Sequence, residues 1–252
     1  MGMTTEEMKV YDKIFKNVST RVMWDIENVQ VTQSGKRWEQ DNGFYVTHLH
    51  IESVKSIGVR INVAIQFLWY NEDSLLYQFY DYSHPLGQRY SLEVYTPAVP
   101  FNPLGLLAYE DHTIEEFEHY FTLLMAEARK VFDHYSAMKD LAVFHRAMAD
   151  KYAYDKDVEI KHGRSGHGSD NFACQLAMLS LLIGDYPTAL PLLKELSSES
   201  PYPFYVERAN QLLNLLENRE ALLSYINGLI AEGRKTLSSK IKILGKRSFA
   251  FE

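Results

Sequence analysis

The chain has 252 residues, of which 46% are hydrophobic and 23% charged, the balance of a folded protein long enough to bury a substantial core. Its 26 Lys and Arg stand against 33 Asp and Glu, a net charge of −7, which argues against general binding to nucleic acid or to an anionic membrane surface. The single cysteine, Cys174, excludes an internal disulfide and suits a reducing cytoplasm; its apolar helical setting predicts a buried, inert thiol. No charged-then-apolar leader pattern opens the chain and no apolar run approaches a membrane span. Glu6 occupies the position where a myristoylation signal wants Ser or Thr.

In chain order, Thr4 to Val18 reads as a helix. Thr4 and Glu7 have capping-box spacing, and Met8, Tyr11, Ile14, Phe15 and Val18 form an apolar stripe. A strand-rich region follows from about Val22 to Thr96, with turn signals at Ser34-Gly35 and Asp41-Asn42-Gly43. Phe44 to Glu52 and Val59 to Tyr70 alternate as strands do, and Leu75 to Tyr82 and Arg89 to Thr96 are further candidates. The expectation is an antiparallel sheet of four to six strands, with the first helix on its apolar side. Three prolines between Pro97 and Pro103 mark a connector.

From Thr113 the period becomes helical. Thr113 and Glu116 make a second capping box, and Phe117, Phe121, Leu124, Ala128, Val131 and Tyr135 share a face. Another helix covers Met138 to Ala149. Tyr152 to Ser169, polar and then glycine-rich, reads as a long loop. Helices resume at Asp170 and run to about Gly233. The fold class expected is therefore α+β: an antiparallel-sheet region over 1–112 followed by a helical region over 113–252, an order that one continuous domain would also satisfy.

Within the helical region, Ala177 and Ala189 are small residues that let two helices approach closely. Gly184-Asp185-Tyr186 supplies a turn and Pro201 ends the second helix. Over 170–203 this pattern resembles one tetratricopeptide repeat. Ala173 and Ser180 depart from it, standing where that family usually has Trp and Tyr. The next unit, from Phe204, keeps the helices and not the signature. The resemblance implies helix pairs that present a surface to another protein or peptide. The overall order of elements also resembles uncharacterised bacterial α+β proteins, including immunity-type partners of secreted toxins.

Candidate chemistry gathers on one side of the predicted hairpin. Residues two apart share a strand face, so Val46, His48, His50 and Glu52 point one way, as do Arg60, Asn62, Ala64 and Gln66. Matching the apolar faces sets Glu52 opposite Arg60, His50 opposite Asn62 and His48 opposite Ala64, with Ser53 to Val59 as the loop. The default expectation is a solvated sheet face of ordinary polar residues, with a metal-free ligand or partner surface there as a further possibility. The alternative is a zinc or other divalent-metal site at His48 and His50, with Glu52 as the nearby acid. The His-x-His pair is similar to that of the cupins. Glu52 follows the second His by only two residues, where the cupin acid comes several later, and the glycine spacing also differs, so no activity is carried over.

A second cluster, His162, Arg164 and His167 among glycines before a helix, has the composition of an anion-holding loop but lacks the Gly-Lys-Ser/Thr ending of a P-loop. No nucleophile elbow, H-E-x-x-H, C-x-x-C or G-x-G-x-x-G occurs. Arg234 to Arg247 holds six basic residues and no acid. Leu237, Ile241 and Leu244 at helical spacing predict that it docks with a basic outer face. The reading is a non-enzymatic interaction or ligand-binding module of the cytoplasm, without resident cofactor; the alternative is an enzyme centred on His48 and His50. Partner identity and oligomeric state stay open.

Overall fold

The computed structural model describes residues 4–54, 57–69, 94–162 and 167–252. Helix α1 (Thr5–Met23) starts at the predicted box: the Glu7 amide donates to Thr4 Oγ1 and the Thr4 amide to Glu7 Oε2. Five antiparallel strands follow as a meander: β1 (Val29–Thr32), β2 (Arg37–Asp41), β3 (Tyr45–Val54), β4 (Gly58–Phe67) and β5 (Leu107–Ala108). The turn at Gln33–Gly35 carries three successive positive φ angles, which is why it needs small or polar residues.

The hairpin register is the predicted one: Glu52 pairs with Arg60, His50 with Asn62 and His48 with Ala64. The loop is shorter than predicted, because the ladder continues through Ser53 with Val59 and Val54 with Gly58. Trp69 lies beyond β4 in a turn, where it stacks on Phe67 and Phe44. The candidate strand Leu75 to Tyr82, and Arg89 to Thr96 up to residue 93, lie outside the described residues. Val94 to Thr96 has no regular structure.

Helix α2 (Ile114–Ala137) begins at the second box, the Glu116 amide donating to Thr113 Oγ1. It lies against β3, β4 and β5, while α1 lies against α2 and the Gln33–Gly35 turn. The first helix thus meets the sheet side through α2. Tyr11, Phe15, Phe117 and Phe121 join with Tyr109 in one aromatic cluster. Phe132 is fully buried on α2, and Val131 is only half-buried.

Five more helices follow: α3 (Leu141–His162), α4 (His167–Ile183), α5 (Tyr186–Glu199), α6 (Pro203–Asn214) and α7 (Arg219–Leu237). Tyr152 to His162 is helical, which overturns the long-loop reading. Ala153, Lys156, Glu159 and Lys161 favour a helix here, and Lys156 Nζ, set over the Tyr152 ring, pairs with Glu195 Oε1 of α5 at 2.7 Å. Gly184 takes φ +82 and Asp185 caps α5 through the Thr188 amide. Ala177 and Ala189 are fully buried.

By compactness the chain forms two units. The first holds the described residues as far as Ala137 together with Leu229–Ala250; the second holds the described residues of Met138–Gly228 with Phe251–Glu252. The division differs from a cut after residue 112, because α2 shares the aromatic cluster and the sheet. Helix α7 contributes its first half to one unit and its second half to the other. The segment Leu229–Ala250 is docked, with Leu237, Ile241 and Leu244 buried.

Two glycines of α7 test this packing. A Cβ on Gly233 would run into the Leu68 carbonyl, whereas one on Gly228 meets open space. Gly233→Ala should cost about 1–3 kcal/mol in urea unfolding. Gly228→Ala should stabilise by about 0.5–1 kcal/mol. Equal midpoints for the two variants would contradict the close approach at Leu68.

Candidate functional site

Strand alternation brings more than the hairpin to the polar face. On β2, Arg37 sits opposite His50, Glu39 opposite His48 and Asp41 opposite Val46; on β1, Gln30 sits opposite Glu39. The centre of this face is dry: Glu39 is 2% exposed, His48 3%, Gln66 3% and Asp41 7%. That corrects the solvated face expected from the sequence. His50, Glu52, Arg60 and Asn62, nearer the hairpin tip, are half-buried.

The cover over Gln30 and Asp41 comes from Leu229–Ala250. Arg234, 5% exposed, donates from Nη1 to Asp41 Oδ1 at 2.9 Å and from Nη2 to Asp41 Oδ2 at 2.5 Å. Its remaining protons go to the carbonyls of Gly43, Leu244 and Arg247. Gln30 Nε2 donates to the Lys240 carbonyl at 2.9 Å and to Glu39 Oε2 at 3.0 Å. Arg234 is thus an inward exception to the basic outer face expected of the tail; Lys235, Lys240, Lys242, Lys246 and Arg247 are exposed.

Beside these contacts lies an unusual pair. Arg37 Nε reaches Glu39 Oε1 at 2.6 Å, and His48 Nδ1 lies 3.8 Å from the same oxygen, beyond hydrogen-bond reach. Among the described residues, neither ring nitrogen of His48 has a partner in hydrogen-bonding geometry. Burial, helped by the Arg37 charge, pushes the His48 pKa down to about 3, and the Gln66 side chain opposes this. Burial raises the Glu39 pKa despite Arg37 and Gln30. His50 is also lowered, first by burial and then by Arg37.

Toward the tip, Arg60 grips Glu52 through Nε at 2.7 Å and Nη2 at 3.1 Å, and Asn62 Nδ2 adds a bond at 3.2 Å. The Arg60 contact is the main reason the Glu52 carboxyl is held below its usual range. This is the cross-strand pairing expected from the sequence, and it would compete with any metal for the Glu52 carboxylate. No group of three potential metal ligands comes together among the described residues. Glu39, the carboxylate nearest His48, was missed from sequence; only the pairing of β2 with β3 places it there.

The glycine-rich cluster is divided. His162 is the last residue of α3 and His167 the first of α4, while Arg164 lies outside the described residues. In the helical unit, His145 Nε2 lies 2.9 Å from Ser180 Oγ and 3.5 Å from Asp185 Oδ2. Both partners address the same nitrogen, and Ser180 Oγ donates to the Leu176 carbonyl. A catalytic triad needs the acid on the other nitrogen and a free nucleophile, an arrangement that His145, Ser180 and Asp185 do not have. Cys174 is buried, and burial raises its thiol pKa to about 11. No helix of the described residues is long and apolar enough to cross a membrane.

The His48 shift carries a pH signature. Its folded pKa lies below the unfolded value near 6.5, so the unfolded chain binds the proton more tightly. The stability it contributes is complete above about pH 6.5 and is lost as pH falls toward 3, by up to about 1.4 kcal/mol per pH unit. Glu39, shifted upward, acts in the opposite sense above its unfolded pKa. The difference between wild type and His48→Gln in urea unfolding isolates the histidine: the variant should lose less stability than wild type between pH 6.5 and 4.5. Parallel profiles would show that His48 is solvated.

Comparison of the chain with protein-family models, curated proteins and solved structures finds no match.

Proposed function

We propose that this protein is a non-enzymatic binding module whose helical unit takes an extended peptide segment along α6. The observation that carries the reading is a shallow, open groove of about 610 Å³ running from the α5–α6 turn down α6. Pro201 and Val206 give it an apolar floor. Asn210, Gln211 and Asn214 line it with carboxamides, and Glu207 is its charged residue. A carboxamide offers a donor and an acceptor together, the complement of a peptide unit in an extended chain. The Ser197 hydroxyl donates to Asn210 Oδ1 at 2.7 Å and so orients that amide.

The packing behind the groove is compatible with a tetratricopeptide-like stack. Helix α4 lies against α3 and α5, α5 against α6, and α4 also touches α6. Helix α4 is enclosed, with Asn171, Gln175 and Ser180 buried, whereas α6 keeps an open face along the groove. The single buried thiol of Cys174 fits a reducing, cytoplasmic setting.

A peptide library selected on the whole protein tests this reading. Peptides bound by the wild type should lose at least tenfold in affinity to Asn210→Arg or Gln211→Arg, with unfolding midpoints unchanged. Undiminished binding by both variants would remove the groove from the function.

The second reading, an enzyme holding zinc or a small ligand at His48 and His50, rests on the unsatisfied nitrogens of His48. It requires zinc or a small molecule to remain on the natively purified protein. Loss of that mass in His48→Ala would favour it, and a bare polypeptide mass in wild type would set it aside.

A further inference from the structure

We propose that residues 235–247 form a fixed basic platform that binds a carboxylate-rich segment of another protein. Lys235, Lys240, Lys242, Lys246 and Arg247 are all exposed, and no Asp or Glu lies between Glu232 and Glu252. Elsewhere in the protein Lys9, Lys36, Arg60, Arg129, Lys130 and Lys156 each meet a carboxylate. Among the described residues, Lys235, Lys242, Lys246 and Arg247 have no acid within ion-pair distance. The chain carries more acid than base, yet these cations stand without a partner of opposite charge.

The side chains that point inward set the others outward. Leu237, Ile241 and Leu244 are buried, Arg234 is held by Asp41, and Gln30 donates to the Lys240 carbonyl. The backbone is also tied to itself: the Ile241 amide donates to the Leu237 carbonyl and the Leu244 amide to the Ile241 carbonyl. A partner therefore meets cations on a backbone that is already ordered, without the cost of ordering it. Repulsion among the like charges falls when carboxylates arrive, and the patch attracts them over about a Debye length, about 10 Å. Charge also separates the kinds of polyanion. A nucleic-acid duplex carries about one charge per 1.7 Å and meets the −7 of the whole chain along with the patch. Residues 235–247 include no aromatic ring on which a base could stack. A segment with a few Asp or Glu residues needs only the local cations.

Fluorescence anisotropy of a labelled poly-L-glutamate peptide, titrated with the whole protein at low salt, tests the platform. Wild type should bind the peptide, with affinity falling as salt rises. Lys242→Glu/Lys246→Glu should weaken binding about tenfold or more. Lys13→Glu/Lys139→Glu makes the same change in net charge at exposed positions outside the segment and should stay within about twofold of wild type. An oligothymidylate with the same number of charges should bind wild type more weakly than the peptide. Should the first pair disturb folding, Lys235→Glu/Arg247→Glu repeats the test by the same tenfold criterion. The platform is overturned if poly-L-glutamate does not bind, or if both double variants lose affinity equally, since net charge alone would then account for binding. It is also overturned if the oligothymidylate binds more tightly, which would make the surface a nucleic-acid site.

Discussion

One buried ion pair, Arg234 with Asp41, organises the polar half of the first unit. It joins residues 193 positions apart in sequence and is almost completely removed from water. A guanidinium in that setting needs its whole fork satisfied, and Asp41 with the carbonyls of Gly43, Leu244 and Arg247 does so. Removing one partner of such a pair leaves an uncompensated charge at a cost of about 3–5 kcal/mol. The residues around it, Gly233 against Leu68 and Phe249 against Phe44, hold the same segment by shape. The pair thus fixes the end of the chain beside β1 and the β2–β3 turn, while α2 lies against β3, β4 and β5.

An antiparallel sheet with one dry face is expected to show polar residues to water on the other. Here the polar residues at the centre of the face are dry, and each responds according to its chemistry. Glu39 keeps Arg37 and Gln30 as partners and its pKa still rises; His48 has none and stays neutral. At the tip, Glu52 and Arg60 remain half-exposed and satisfy one another. The same row of alternating side chains therefore grades from a partly solvated ion pair to an unsatisfied imidazole within a few residues of β3.

The β3–β4 hairpin was legible because its information is local. Alternation in both strands, with Ile61, Val63 and Ile65 facing Leu49 and Ile51, permits only one parity of pairing, and the structure has it. The capping boxes at Thr4 and Thr113 were equally readable, since each is complete within four residues. The role of Glu39 was not, because it depends on how β2 pairs. The burial of His48 was not, because alternation shows which face a side chain takes and not what lies over it. The α3 extension was hidden by its polar composition and by the glycines after it, and the two-residue strand β5 is too short to leave a periodic signal. Docking of the tail could be read from Leu237, Ile241 and Leu244, whereas the inward turn of Arg234 could not, since sequence gives every basic residue there the same standing.

The function proposed lies in the other unit, on an open helix face with carboxamide chemistry, and depends on no strained or catalytic geometry. The sheet unit, with its latched C-terminal segment, has the more demanding physical chemistry. The most direct measurement of the account is a double-mutant cycle between Arg234→Met and Asp41→Asn, read by urea unfolding at pH 7. A pair that is desolvated and fully hydrogen-bonded should show a coupling energy of at least about 2 kcal/mol, with the double variant more stable than the single variant that leaves Asp41 unpaired. Additive single-variant losses, with coupling near zero, would mean that the pair is solvated and that the chain's end is not held on the sheet as described.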